Sequence, residues 1–212
     1  MNPKSNSLSL VRIILISAVI ASMLISSVYA YSNTQYGFSI TAPTGWTTSE
    51  GVSGTVVIFY GPTMTETGTD VNINIAATPT TETLSEAISS MKTDYPTEFS
   101  DYSLVSESSR NIGGLSSYEL VYTFTDAGNT YKQKQVVLIE NGQGFIITCT
   151  AIPSNYDIYL PTFEQSIQTF RLTPTLSPSP TIPEVPSWII LPILIAGMLL
   201  AFVGYKKKIP SK

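Results

Sequence analysis

An uncharged, largely apolar run from Trp188 to Tyr205, followed at once by Lys206, Lys207 and Lys208, limits more than any other feature what this chain can become. At about 1.5 Å rise per residue such a run makes a helix of roughly 27 Å, close to the hydrocarbon thickness of a bilayer. The three lysines stay cytoplasmic by the positive-inside rule, which leaves everything before Trp188 outside. Trp188 and Tyr205 stand where interfacial aromatic residues stand. Pro192 falls in the first turns, where a missing amide donor is tolerated. The sequence thus predicts a transmembrane anchor over 187–205 and a cytoplasmic basic tail over 206–212.

A second apolar run, Val11 to Ile25, lies near the other end, behind Lys4 and beside Arg12, and leads to Val28-Tyr29-Ala30. That layout predicts a secretory signal peptide over 1–30, cleaved after Ala30; an uncleaved N-terminal anchor is the competing reading. No Cys follows the run, so an N-terminal lipoprotein anchor is excluded. Residues 173–186 carry five prolines among Ser and Thr. They cannot pack as a helix or a central strand and are expected to form an extended stalk, open to O-glycosylation.

Between Tyr31 and Pro186 the only basic residues are Lys92, Arg110, Lys132, Lys134 and Arg171, against all 15 acidic residues of the chain. An acidic body of this kind is repelled by phosphate backbones, which argues against nucleic-acid binding. Histidine is absent, so it supplies neither a general base nor a metal ligand. Cys149 is the single cysteine and no intramolecular disulfide can form. Period-2 alternation puts it on one face with Phe145 and Ile147, as a small buried hydrophobe.

The same alternation predicts strands over 36–40, 55–60 and 70–77, the last with Val71, Ile73 and Ile75 facing the core and Asp70, Asn72 and Asn74 facing water. Thr83-Leu84-Ser85-Glu86 is a capping box, and Leu84, Ile88, Met91 and Tyr95 follow at helical spacing, so a helix is expected over 84–95, stopped by Pro96. Four more strands are read over 103–110, 115–125, 131–140 and 144–151. Gly113-Gly114, Asp126-Ala127-Gly128-Asn129 and Asn141-Gly142 supply the turns between them. A closing helix aligns Phe163, Ile167 and Phe170. The order argues for an α+β fold, a mostly antiparallel sheet of six to seven strands flanked by helices, formed by one domain over 31–172.

Gly37-Phe38-Ser39-Ile40 with Pro43 and Gly45-Trp46, the central helix, the meander and the segment Phe163 to Arg171 together resemble PsbP-type domains. That resemblance implies an α/β/α sandwich working as an extrinsic binding or assembly module and not as an enzyme. It transfers no site residue. Pro183-Glu184-Val185-Pro186, the apolar helix and the terminal lysines resemble the C-terminal sorting signals of archaeal surface proteins that carry a Pro-Glu-Phe type motif. That likeness implies removal of the helix and attachment of a lipid, and Val185 departs from its usual aromatic residue.

Candidate chemistry is sparse. Asp70, Asn72 and Asn74 look like the opening of a calcium loop, but Ala76-Ala77 stands where the turn belongs and Thr81 where a bidentate Glu belongs. Without His, nucleophilic chemistry needs a lysine partner, from Lys92, Lys132 or Lys134. Tyr118, Leu120, Tyr122 and Phe124 share one strand face, with Tyr131 and Gln133 on the next strand; they read as sheet core or as part of a recognition surface. No cofactor motif occurs. The expected role is a non-catalytic, membrane-anchored module that binds a protein partner at the cell surface. The alternatives are an envelope hydrolase with a Ser or carboxylate site and weak calcium-dependent adhesion.

Overall fold

The structure is a computed structural model that describes residues 30–173, Ser53 excepted. The signal-peptide segment before Ala30, the stalk from residue 174, the sorting motif Pro183, Glu184 and Val185, and the anchor with Trp188, Tyr205 and Lys206 to Lys208 lie outside the described residues. Ala30 itself opens the first strand, paired with Thr41. No helix among the described residues is long and apolar enough to cross a membrane.

Among the described residues, ten strands and two helices follow in chain order. They are β1 (Ala30–Asn33), β2 (Phe38–Thr41), β3 (Thr47–Glu50), β4 (Val57–Thr63), β5 (Asp70–Pro79), α1 (Leu84–Glu98), β6 (Ser100–Ile112), β7 (Leu115–Asp126), β8 (Asn129–Glu140), β9 (Gln143–Ala151), α2 (Pro153–Ile167) and β10 (Arg171–Leu172). Seven strands make one antiparallel sheet in the order β3-β4-β5-β9-β8-β7-β6, and a small sheet has the order β1-β2-β10.

Three two-residue turns drive the meander from β6 to β9. Their central residues Gly113 and Gly114, Ala127 and Gly128, and Asn141 and Gly142 all have positive φ, the backbone twist that matches right-twisted antiparallel strands. Each turn fixes a register, so Ile112 faces Leu115, Asp126 faces Asn129 and Glu140 faces Gln143. β9 then returns to pair with β5 along its whole length, from Asn72 opposite Thr150 to Pro79 opposite Gln143.

Neighbouring residues of a strand point to opposite faces, and β8 shows what covers each face. Gln135 accepts a hydrogen bond from Tyr95 of α1, while Lys134 contacts Glu164 of α2. The helices therefore lie on opposite sides of the large sheet. Ile88, Met91, Tyr95 and Phe99 pack on Leu120, Tyr122, Phe124 and Tyr131, with ring centroids 4.8 Å apart for Phe99 and Phe124. On the other face Phe38 of β2 stacks on Phe170 at 5.7 Å and meets Phe145 edge-on at 5.8 Å. Trp46 meets Phe163 at right angles. Gly61 makes room for that indole, since a Cβ there would stand 2.6 Å from it.

Several sequence expectations need correction. Pro96 does not stop α1, which runs on to Glu98; Pro96 is exposed in the last turns, where water can serve the carbonyl that its missing donor leaves free. Pro161 sits in the middle of α2, also exposed. The helical stripe ends at Ile167, and Phe170 reaches the core from the segment that follows. The face of β5 expected to be wet is closed, with Asn72 and Asn74 both buried. β1, β3 and β10 escape the sequence reading because they are two to four residues long, and β3, Thr-Thr-Ser-Glu, has no apolar residue to alternate.

Candidate functional site

On the α1 side of the sheet, amide and hydroxyl side chains align across neighbouring strands. Asn72 of β5, Thr150 of β9, Gln133 of β8 and Tyr122 of β7 stand opposite one another in turn, and so do Asn74, Thr148 and Gln135. All are buried. Such groups are costly in an apolar interior unless they bond to each other. Tyr122 donates to Gln133 Oε1 at 2.6 Å and Gln133 Nε2 donates to Thr150 at 2.9 Å. Tyr95 donates to Gln135 Oε1 at 2.7 Å. Burial pushes both phenols well above their ordinary range, so they remain protonated donors. Asn74 Nδ2 reaches Asn72 Oδ1 at 3.3 Å, whereas Asn74 Oδ1 is buried without a partner.

This seam contains two of the three residues read as a possible calcium loop. Asn72 Oδ1 already accepts from Asn74, and Asp70 accepts the hydroxyl of Thr63. The three thus sit along one strand face, tied into its ladder. No group of three or more Cys, Asp or Glu among the described residues is placed to hold a metal ion.

The α2 face carries a cluster of four charges. β6 supplies Arg110, β7 Glu119, β8 Lys134 and α2 Glu164. Arg110 Nη2 lies 2.9 Å from Glu164 Oε2 and Lys134 Nζ lies 3.1 Å from Glu119 Oε1. Arg110 also contacts Glu119, and Lys134 contacts Glu164. Burial alone would raise the Glu164 carboxyl, but its hydrogen bonds to Arg110 and Lys134 outweigh that and hold it below the usual carboxylate range. Cys149 lies opposite Lys134 on β9, fully buried, and burial pushes its thiol far up. A thiol held protonated there is a poor nucleophile.

The lysines weighed for a Ser-Lys dyad all have carboxylate partners. Lys92 pairs with Glu107 at 2.7 Å, and Lys132 lies 3.6 Å from Asp157 with its ammonium 4.1 Å above the Tyr156 ring. Arg171, the remaining basic residue of the domain, donates to the carbonyls of Gln168 and Phe170. Of the aromatic set, Leu120, Tyr122, Phe124, Tyr131 and Gln133 form core under α1, and only Tyr118 is half-exposed.

Two surface features were not legible as sites. An open groove of about 500 Å³ runs between the β1–β2 turn and the β3–β4 hairpin, lined by Asn33, Tyr36, Glu50, Thr55, Val56 and Ala77. Among the described residues its lining holds one carboxylate, Glu50, and no basic side chain. The second feature is β6, whose 13 residues form one border of the large sheet and, among the described residues, pair only with β7. From Ser103 to Ser109 every residue is exposed. Its sequence shows little alternation because neither face is fully covered, and that weak pattern was the available signal of a border strand.

A family model described as DcrB matches residues 39–169. Among solved structures, the chain is similar to the cyanobacterial PsbP protein CyanoP from Synechocystis sp. PCC 6803, with a TM-score of 0.53, 18% identity, and 70% of this chain and 94% of that one covered. It is also similar to LpqN from Mycobacterium tuberculosis, described as involved in cell envelope biogenesis, with a TM-score of 0.49, 14% identity, and 69% and 90% covered. No curated protein sequence matches the chain significantly. The PsbP likeness read from the sequence is thereby one of fold.

Proposed function

The chain belongs to the DcrB family, and from that premise we propose that it is a non-catalytic binding or assembly module, exported and held at the outer face of the cell membrane by its C-terminal anchor. The observation that carries this reading is the commitment of the domain's cations. Lys92, Lys132 and Lys134 face carboxylates, Arg110 bridges Glu119 and Glu164, and Arg171 serves two carbonyls. A lysine serving as the base of a Ser-Lys dyad must face the hydroxyl it activates, and these ammonium groups face carboxylates instead. The acidic surface and the long open strand remain available for contact with a partner.

The test uses the full chain in its native membranes, with a photo-crosslinking residue placed in turn at Ser108 on β6, Thr97 on α1 and Gln165 on α2. A stable partner captured from at least one position is the expected result, and recovery of self-contacts alone would overturn the reading. The competing reading, an envelope hydrolase with a Ser or carboxylate site, draws on the groove beside Glu50. It requires substrate turnover that Glu50→Gln abolishes without loss of fold.

A further inference from the structure

From the open border of the large sheet we infer that β6 is a docking edge for strand addition, and that its occupant is an extended segment of a partner protein carrying lysine or arginine just after its paired stretch. The inference rests on the binding-module reading and names the surface and partner chemistry for it.

The two borders of the sheet differ in what they offer. β3 has four residues, whereas β6 has 13. Border strands are normally guarded by charged side chains, above all lysine, by proline, by shortness or by bulges. β6 contains neither lysine nor proline, its Glu107 and Arg110 are drawn into ion pairs with Lys92 and with Glu119 and Glu164, and it bulges twice, between Ser100 and Ser103 and between Leu104 and Ser106. Beyond the second bulge, seven residues from Ser106 to Ile112 pair with β7 without interruption, opposite Val121 to Leu115. At about 3.3 Å per residue this makes roughly 23 Å of regular edge, a usual strand length. Ser106, Ser108 and Ser109 are small and exposed, so a second backbone can approach closely.

Charge selects the occupant. Beside the bulged end stand Glu98, the last residue of α1, and Asp101, both exposed, while the two cations at this border are each held by carboxylates, Lys92 by Glu107 of β6 and Arg110 by Glu119 and Glu164. A strand added antiparallel, as every pair in this sheet is, runs from the Ile112 end toward Ser106. Its C-terminal end therefore emerges at Val105 and Leu104, which are 54% and 38% exposed, and then meets the acidic group. An apolar residue followed by cations complements that order. A second copy would bring a like-charged acidic body to this edge.

The test measures hydrogen exchange on the folded chain with a blocked peptide of alternating threonine and valine ending in Val-Lys-Arg-Lys, beside a twin ending in Val-Glu-Glu-Glu. The basic peptide is expected to slow exchange of β6 amides between Ser106 and Ile112, with binding that weakens as salt rises. Glu98→Lys combined with Asp101→Asn is expected to weaken it at least about tenfold while leaving the thermal midpoint of the free protein close to wild type. Asparagine is chosen at 101 because that residue has a φ of 53°, which asparagine tolerates. Protection elsewhere, equal binding of both peptides, no binding of either, or a dimer joined through β6 would each overturn the assignment. Capture of a native partner from α1 or α2 with Ser108 silent would overturn it too, and would leave the binding-module reading standing.

Discussion

Replacing Glu164 with Gln keeps the volume of the side chain and removes one charge from the cluster with Arg110, Glu119 and Lys134. The wild-type cluster is neutral, and the variant leaves two cations facing Glu119 alone. Arg110 and Lys134 are only 15% and 8% exposed at their side chains, so the surplus charge cannot hydrate freely. Breaking one partner from a buried pair costs about 3–5 kcal/mol. Glu164 is itself 33% exposed, and solvent screening lowers the expectation to about 2–3 kcal/mol. For a domain of this size that is a fall of roughly 6–12 °C in thermal midpoint. The pH dependence follows from the depressed Glu164 carboxyl. Because the unfolded chain takes up this proton before the folded one does, the stabilisation is complete above the unfolded carboxylate value of about 4.3 and is lost as pH falls through the lower folded value. Melts followed by circular dichroism should show a wide gap between wild type and Glu164→Gln at pH 7 and a narrower one at pH 3. Adding Lys134→Met to Glu164→Gln restores neutrality and should recover part of the loss. A variant within about 0.5 kcal/mol of wild type at pH 7, or a gap that does not change with pH, would refute a desolvated cluster; exposed ion pairs contribute about that little.

Three further outcomes are expected. Ala127 has a φ of 48°, so Ala127→Gly should stabilise the β7–β8 hairpin by about 0.5–1 kcal/mol in urea melts, the strain of a Cβ in the left-handed region exceeding glycine's entropic cost. Gly61→Ala drives a Cβ into the Trp46 ring and should cost about 1–3 kcal/mol, with a shifted Trp fluorescence maximum reporting a displaced indole. Cys149, fully buried with its thiol pushed up, should resist an aromatic disulfide reagent at pH 8 in the folded protein and react at once in denaturant.

Legibility in the sequence followed burial. β5, β7, β8 and β9 were found because Ile73, Leu120, Val136 and Ile147 recur at period 2, and their turns because Gly-Gly, Ala-Gly and Asn-Gly suit positive φ. α1 was visible in Thr83 and Glu86, whose reciprocal bonds cap its start. Polarity misled at Asn72 and Asn74. Both read as solvent-facing, but Thr148, Thr150, Gln133 and Gln135 match them from strands about 60 to 80 residues away, a pairing that local periodicity cannot see. The cluster around Glu164 was hidden for the same reason, since its four charges come from four elements. β6 was found as a strand but shortened at both ends, its serines giving no face.

The small sheet sets when this domain can finish folding. β2 is flanked by β1, close to it in sequence, and by β10, where Arg171 pairs with Ser39 across most of the domain. Phe170, just before β10, stacks on Phe38. A chain emerging N-terminus first must therefore hold Phe38 without its Phe170 partner until the end of the domain arrives. Long-range closure of this kind slows folding and prolongs exposure of apolar surface, so truncations before Phe170 should yield aggregating species.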